Sequence, residues 1–97
     1  MVKHFIIWKL KDTLTEEEKA AARAEAKRHL ESLNGKIDGM ISIKVHIDRL
    51  PTSTGDMMLE SYFIDEAALA GYQKNPLHLE AATFVRSVVA ERLCLDF

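Results

Sequence analysis

Cysteine is almost missing from this chain. The single one, Cys94, has no partner for an internal disulfide, so the fold must rest on non-covalent packing. A reducing compartment suits such a chain. Long apolar runs are also missing. The longest near the N-terminus is Phe5-Ile6-Ile7-Trp8, whereas a secretory core needs roughly 7–15 residues and a membrane span about 20. No membrane association is expected, and a cytoplasmic location is. There is no surplus of basic charge: the formal net charge is −2, and basic residues sit among acids, as in Lys27-Arg28 followed by Glu31. A phosphate-binding face normally shows a clear Lys/Arg excess, so no nucleic-acid partner is expected. The chain carries no phosphate loop, dinucleotide glycine pattern or Ser-centred elbow. No H-x-x-x-H spacing supports a metal, so neither metal nor cofactor is expected.

What remains is 97 residues, enough for one domain spanning 1–97. A domain of this size buries only about 60–65% of its unfolded surface and gains from pairing with a second copy. Residues 2–10, VKHFIIWKL, read as a strand rich in β-branched and aromatic residues. His4, Ile6, Trp8 and Leu10 share one face, and Lys3, Phe5, Ile7 and Lys9 the other. Phe5 and Ile7 would be out of place on a wet face, so both sides of this sheet are expected to be covered.

Thr15 with Glu18 has capping-box spacing, and Glu16 and Glu17 suit the first turn of a helix dipole. A helix is expected from Glu16 to about Asn34, with Ala22, Ala26, Leu30 and Leu33 as its apolar stripe and Gly35 as a left-handed stop. In the strand at 40–48, Ile41, Ile43, Val45 and Ile47 alternate with Ser42, Lys44 and His46. Leu50 to Gly55 reads as a loop, and residues 56–63 as an antiparallel partner strand. Asp65 caps a short helix, Glu66 to Lys74. Asn75-Pro76 breaks it and starts another, to about Ala90, striped by Leu77, Ala81, Phe84 and Val88. Residues 91–97 form a last strand, with Leu93, Leu95 and Phe97 on one face and Cys94 turned toward the dimer side or solvent.

The order is β-α-β-β-α(α)-β. It implies an α+β domain of ferredoxin-like βαββαβ type, with a four-stranded antiparallel sheet and helices on one side. The uncovered side would carry Phe5, Ile7, Met58 and Tyr62, and this patch is expected to form a homodimer through the sheet face.

Three stretches carry a family likeness: the opening VKHFIIWKLKD followed by TEEE, the segment AALAGYQKNPLHLEAATF, and the ending ERLCLDF. Together and in order, they make the whole chain resemble the stress-responsive A/B barrel domain (Dabb) family. The resemblance implies a dimeric α+β barrel in which two four-stranded sheets face each other. It spans stress-associated proteins and a polyketide cyclase that closes an aromatic ring by aldol chemistry. Cyclase-like members hold a pocket between sheet and helices, lined by a first-strand His, a Tyr and a His around the central proline, and a third-strand His.

By that likeness the catalytic candidates are His4, Tyr72 and His78, and the ligand-binding ones Ile6, Trp8, Met57 and Asn75. Met57 stands where the third-strand His would be, and Asn75 replaces the His before the proline. Arg23 and Ala26 stand where cyclases place bulky aromatics.

His78 in the first turn of its helix is expected to stay neutral and act as a base, because the dipole there disfavours the charged ring. Tyr72 would donate to a developing enolate oxygen and His4 would orient the pair. The alternative is that His4 is a hydrogen-bonded core residue and that Tyr72 and His78 brace the helix break. The two functional readings are therefore a small pocket for an apolar, carbonyl-bearing ligand with cyclase- or isomerase-type proton transfer, and a non-catalytic, stress-related dimeric assembly or binding module.

Overall fold

Strand β1 (Val2–Leu10) lies between two antiparallel neighbours in the computed structural model, which describes residues 1–97. Helix α1 (Glu16–Glu31), strands β2 (Met40–His46) and β3 (Met57–Phe63), helices α2 (Glu66–Lys74) and α3 (Pro76–Val88) and strand β4 (Val89–Asp96) follow. The sheet order is β2-β3-β1-β4. This is the ferredoxin-like βαββαβ fold with a four-stranded antiparallel sheet.

The helix starts follow their sequence signals. Thr15 Oγ1 accepts from the Glu18 N–H at 3.1 Å, and Glu18 Oε1 accepts from the Thr15 N–H at 2.8 Å, closing the capping box. Asp65 accepts from the Ala68 N–H at the head of α2. Asn75 accepts from the Leu77 N–H at the head of α3, with Pro76 in the first turn where a missing N–H costs nothing. The α1 helix stops three residues before Asn34, and turns carry the chain to Gly35, whose φ of +79° is the left-handed stop expected there. Gly39 adopts the same region, and a Cβ there would lie 2.5 Å from Ala68 Cβ.

His4, Ile6, Trp8 and Leu10 face the helices with Ile43, Val45, Met57, Leu59, Ser61 and Phe63, and all are buried. Ala22, Ala26 and Leu30 close over them from α1, Leu69 and Tyr72 from α2, and Ala81 and Val85 from α3. Two expected core positions lie outside. A bulge between Met40 and Ser42 turns Ile41 outward, 54% exposed, because the extra residue breaks the alternation at the start of β2. Leu77 is 43% exposed, since α3 seats on its Ala81/Val85 side.

At the outer edge of β2, side chains of α1 and the following turn take the backbone groups that have no strand beside them. Asn34 accepts from the Ile43 N–H and donates to the Ile43 carbonyl, at 3.0 and 2.9 Å. Glu31 accepts from the Val45 N–H and Lys27 donates to the Val45 carbonyl, at 2.9 and 2.8 Å, while Lys27 and Glu31 pair at 2.7 Å.

The other sheet face carries no helix. Its register sets Phe5 opposite Leu95 and Ile7 opposite Leu93. Leu93, Leu95 and Phe97 are exposed there, beside the half-buried Phe5, Met58 and Tyr62. Cys94 is not on this face. The β4 alternation that sends the leucines outward sends Cys94 toward the helices, where Sγ lies 3.7 Å from His4 Nδ1.

Candidate functional site

Beneath α2 and α3 a cavity of about 330 Å³ reaches the sheet. Its floor is His4, Ile6, Trp8 and Leu59. Tyr72, Gln73, His78, Ala82, Val85 and Arg86 come to it from the helices, and Val89 and Arg92 from β4. The volume lies at the small end of the range for ligand pockets, and the lining is mostly apolar with a few polar groups, as such sites usually are.

Local geometry delivers each polar group. Tyr72 occupies the last turn of α2, and its carbonyl accepts from the Asn75 N–H at the break. Pro76 then begins α3 at once, so His78 falls in the first turn of the new helix. The break brings the Tyr72 and His78 rings to a centroid separation of 4.1 Å at 49°. The His4 ring approaches Tyr72 edge-on at 6.2 Å.

The hydroxyl of Tyr72 and Nδ1 of His78 are both buried and have no protein hydrogen-bond partner. Buried polar atoms are nearly always paired, so two orphans on one cavity wall are a departure from the rule. Burial pushes the Tyr72 phenol well above its ordinary range, against the opposing charge of Arg92, so it stays a hydrogen-bond donor. Burial pulls the His78 imidazole down to about 4, helped by the nearby charges of Arg86, His4 and Arg92. His78 is therefore neutral at pH 7, as its helical position led one to expect, although burial is the leading cause.

His4 has a partner that the sequence did not reveal. Its Nδ1 lies 2.5 Å from Asp96 Oδ1, across the β1–β4 register that sets the two residues opposite each other. The Asp96 carboxylate accepts from His4 and so fixes the orientation of the ring. Burial disfavours the Asp96 carboxylate, but hydrogen bonds from His4 and Cys94 and the charge of Arg92 outweigh that and lower its pKa. Cys94 is pushed up by burial and by Asp96.

Of the expected site residues, His4, Tyr72, His78, Ile6 and Trp8 meet at the cavity. Met57 and Asn75 do not line it. Met57 packs into the core opposite Trp8, and the Asn75 side chain is committed to capping α3. Gln73, Arg86, Arg92 and Asp96 were not anticipated. The signal for the last two was the Arg92-Cys94-Asp96 alternation, which could be read only once the side on which Cys94 falls was known.

The arrangement combines an apolar hollow, a neutral imidazole, a protonated phenol and a second imidazole held by a carboxylate. Those groups can bind a carbonyl oxygen and move a proton beside it.

A model of the stress responsive A/B barrel domain family matches residues 2–97. Comparison with curated protein sequences finds no match. Among solved structures, the chain is similar to a dimeric protein of unknown function with a ferredoxin-like fold from Bacteroides fragilis. The two share 29% identity over 99% of this chain and 93% of that one, with a TM-score of 0.92. It is also similar to At3g17210 from Arabidopsis thaliana, at 23% identity over 100% and 93% of the two chains and a TM-score of 0.73. The hydroxynitrile lyase from Passiflora edulis aligns at 19% identity over 99% and 90%, again at 0.73. The latter two likenesses concern the fold alone.

Proposed function

The chain belongs to the stress responsive A/B barrel domain family, and from that premise we propose that it is a homodimer whose cavities each bind a small apolar ligand bearing a carbonyl group and transfer a proton on it. The reading rests on one observation: the Tyr72 hydroxyl and His78 Nδ1 are buried, unpartnered and adjacent on the wall of an apolar hollow. A ligand oxygen would supply the missing hydrogen bond to Tyr72. His78, neutral throughout the physiological range, takes a proton from the carbon beside the carbonyl. Tyr72 donates to the enolate oxygen as charge develops, and His4, held by Asp96, orients the bound group.

A base with a pKa near 4 has little driving force. It suits an activated carbon acid, such as a methylene between two carbonyls, which is the kind of carbon that cyclase and isomerase reactions deprotonate. The homodimer is formed by apposing the open sheet faces, with Phe5, Ile7, Met58 and Tyr62 joined by Leu93, Leu95 and Phe97. The dimeric character of the Bacteroides fragilis neighbour supports this, and so does the apolar character of the face.

Deuterium exchange at the methylene of benzoylacetone, followed by proton NMR in heavy water, tests the proposal. The expected result is acceleration over matched buffer that is lost in His78→Gln and reduced in Tyr72→Phe. Folded protein that neither binds this diketone nor accelerates exchange would refute the reading. The second reading, a dimeric assembly or binding module without catalysis, draws on the extent of the open apolar face. Binding with no exchange would select it.

A further inference from the structure

The chain has five arginines, and they divide by partner. Arg23 and Arg49 lie 4.0 and 3.6 Å from Asp56, and Arg28 lies 2.8 Å from Glu25. Arg86 and Arg92 are the two without a carboxylate within ion-pair distance, and they are the two that border the cavity. They reach it from different elements, Arg86 from the last turn of α3 and Arg92 from β4, and both charges act on His78. The lining holds no carboxylate, and its Tyr72 phenol and His78 imidazole are neutral.

Both guanidinium charges are felt inside. Together they help to hold the His78 ring neutral, and that of Arg92 opposes the rise of the Tyr72 phenol. The one acid beside Arg92 on its strand face, Asp96, is engaged by His4. Two arginines against the one carboxylate of Asp96 leave the border of an apolar hollow with net positive charge, which is complementary to an amphipathic anion.

We propose that the cavity selects ligands carrying a carboxylate, which Arg86 and Arg92 grip while the apolar body lies over Ile6, Trp8 and Val85. This rests on the cavity being a ligand site, as in the preceding section, and adds the chemical class. The size follows from the volume. At the ~30 Å³ that a water occupies in the liquid, 330 Å³ holds on the order of ten non-hydrogen atoms. An aryl or branched alkyl keto acid is of that size. The anion would also act on the base. Placed between the guanidinium groups and His78, it offsets their charge and raises the imidazole pKa, so a ligand with a carboxylate makes its own proton acceptor stronger.

Phenylacetone and phenylpyruvate separate this proposal from the one beneath it, because they share the benzyl ketone and differ in the carboxylate. Binding of each is measured by NMR titration on the dimer at low ionic strength. Phenylpyruvate is expected to bind about tenfold tighter than phenylacetone, with the difference abolished in Arg86→Gln/Arg92→Gln and retained in Arg86→Lys/Arg92→Lys. Arg28→Gln, at an exposed position paired with Glu25 and outside the cavity lining, serves as the charge control and leaves it unchanged. The His78 imidazole is expected to titrate higher with phenylpyruvate bound than with phenylacetone. Equal affinities for the pair, or a preference that survives the double Gln variant, would overturn the carboxylate assignment while leaving the cavity as a ligand site. Failure of both compounds to bind would overturn the site itself.

Discussion

Replacing Tyr72 by phenylalanine should make this protein more stable. Tyr72 is 1% exposed, and its ring packs against Phe63 at 5.0 Å and His78 at 4.1 Å. Phenylalanine keeps every one of those contacts. It loses only the hydroxyl, which in the folded chain has no hydrogen-bond partner although it was hydrated in the unfolded one. Leaving a buried donor unmade costs about 1–3 kcal/mol, and a substitution that removes it recovers a share of that sum. For a domain of this size, about 1 kcal/mol corresponds to a rise of about 4–8 °C in Tm. Calorimetry or urea denaturation of the two proteins at equal protomer concentration measures the difference, since a dimer's stability depends on concentration. Exchange activity should fall in the same variant, a trade of function for stability expected at a catalytic site. A Tyr72→Phe protein destabilised by about 1 kcal/mol or more would refute the reasoning, because the hydroxyl would then be bonded in the native state.

His78 should titrate near pH 4 by imidazole NMR, with the unfolded ring titrating near 6.5. Folding thus favours the neutral ring. Its contribution to stability is complete above pH 6.5 and is lost as the pH falls from 6.5 toward 4, and His78→Gln should flatten the denaturation midpoint across that window. Gly39→Ala, at φ +78° and 2.5 Å from Ala68 Cβ, should cost about 2–4 kcal/mol in urea denaturation. Leu93→Asp/Leu95→Asp should yield a monomer by light scattering, because each partner would bury two new carboxylates in an apolar contact, four across the pair. An unchanged dimer would move the interface elsewhere.

Local signals proved most legible. The Thr15–Glu18 capping box, the Asp65 cap and the Asn75-Pro76 break place three helix starts, because each depends on atoms a few residues apart. The alternation of β1 was legible too: His4, Ile6, Trp8 and Leu10 are buried under the helices, and Phe5 and Ile7 lie on the face that carries none. Non-local facts were not readable in advance. Ile41 alternates with Ile43 in the sequence, yet a bulge set by pairing with Tyr62 and Phe63 turns it outward. A register shift between Lys9 and Leu10 governs how β4 meets β1. That register puts Cys94 beside His4, Asp96 against it and Arg92 on the cavity, although these pairs are some 90 positions apart in sequence. Tyr72 and His78 could be nominated from their spacing about the break, but that they are left without partners is a property of the packing.

The side chains of Lys27, Glu31 and Asn34 give the outer edge of β2 what a fifth strand would have given it. An incoming peptide would have to break four hydrogen bonds before making its first, and bare edges are what fibrils and strand exchange exploit. Growth by adding strands on that side is therefore closed to this protein, although a sheet of this size would otherwise invite it. Of the two sheet edges, only that of β4 is left for a strand of a second copy to join, whereas contact across the open face needs neither edge.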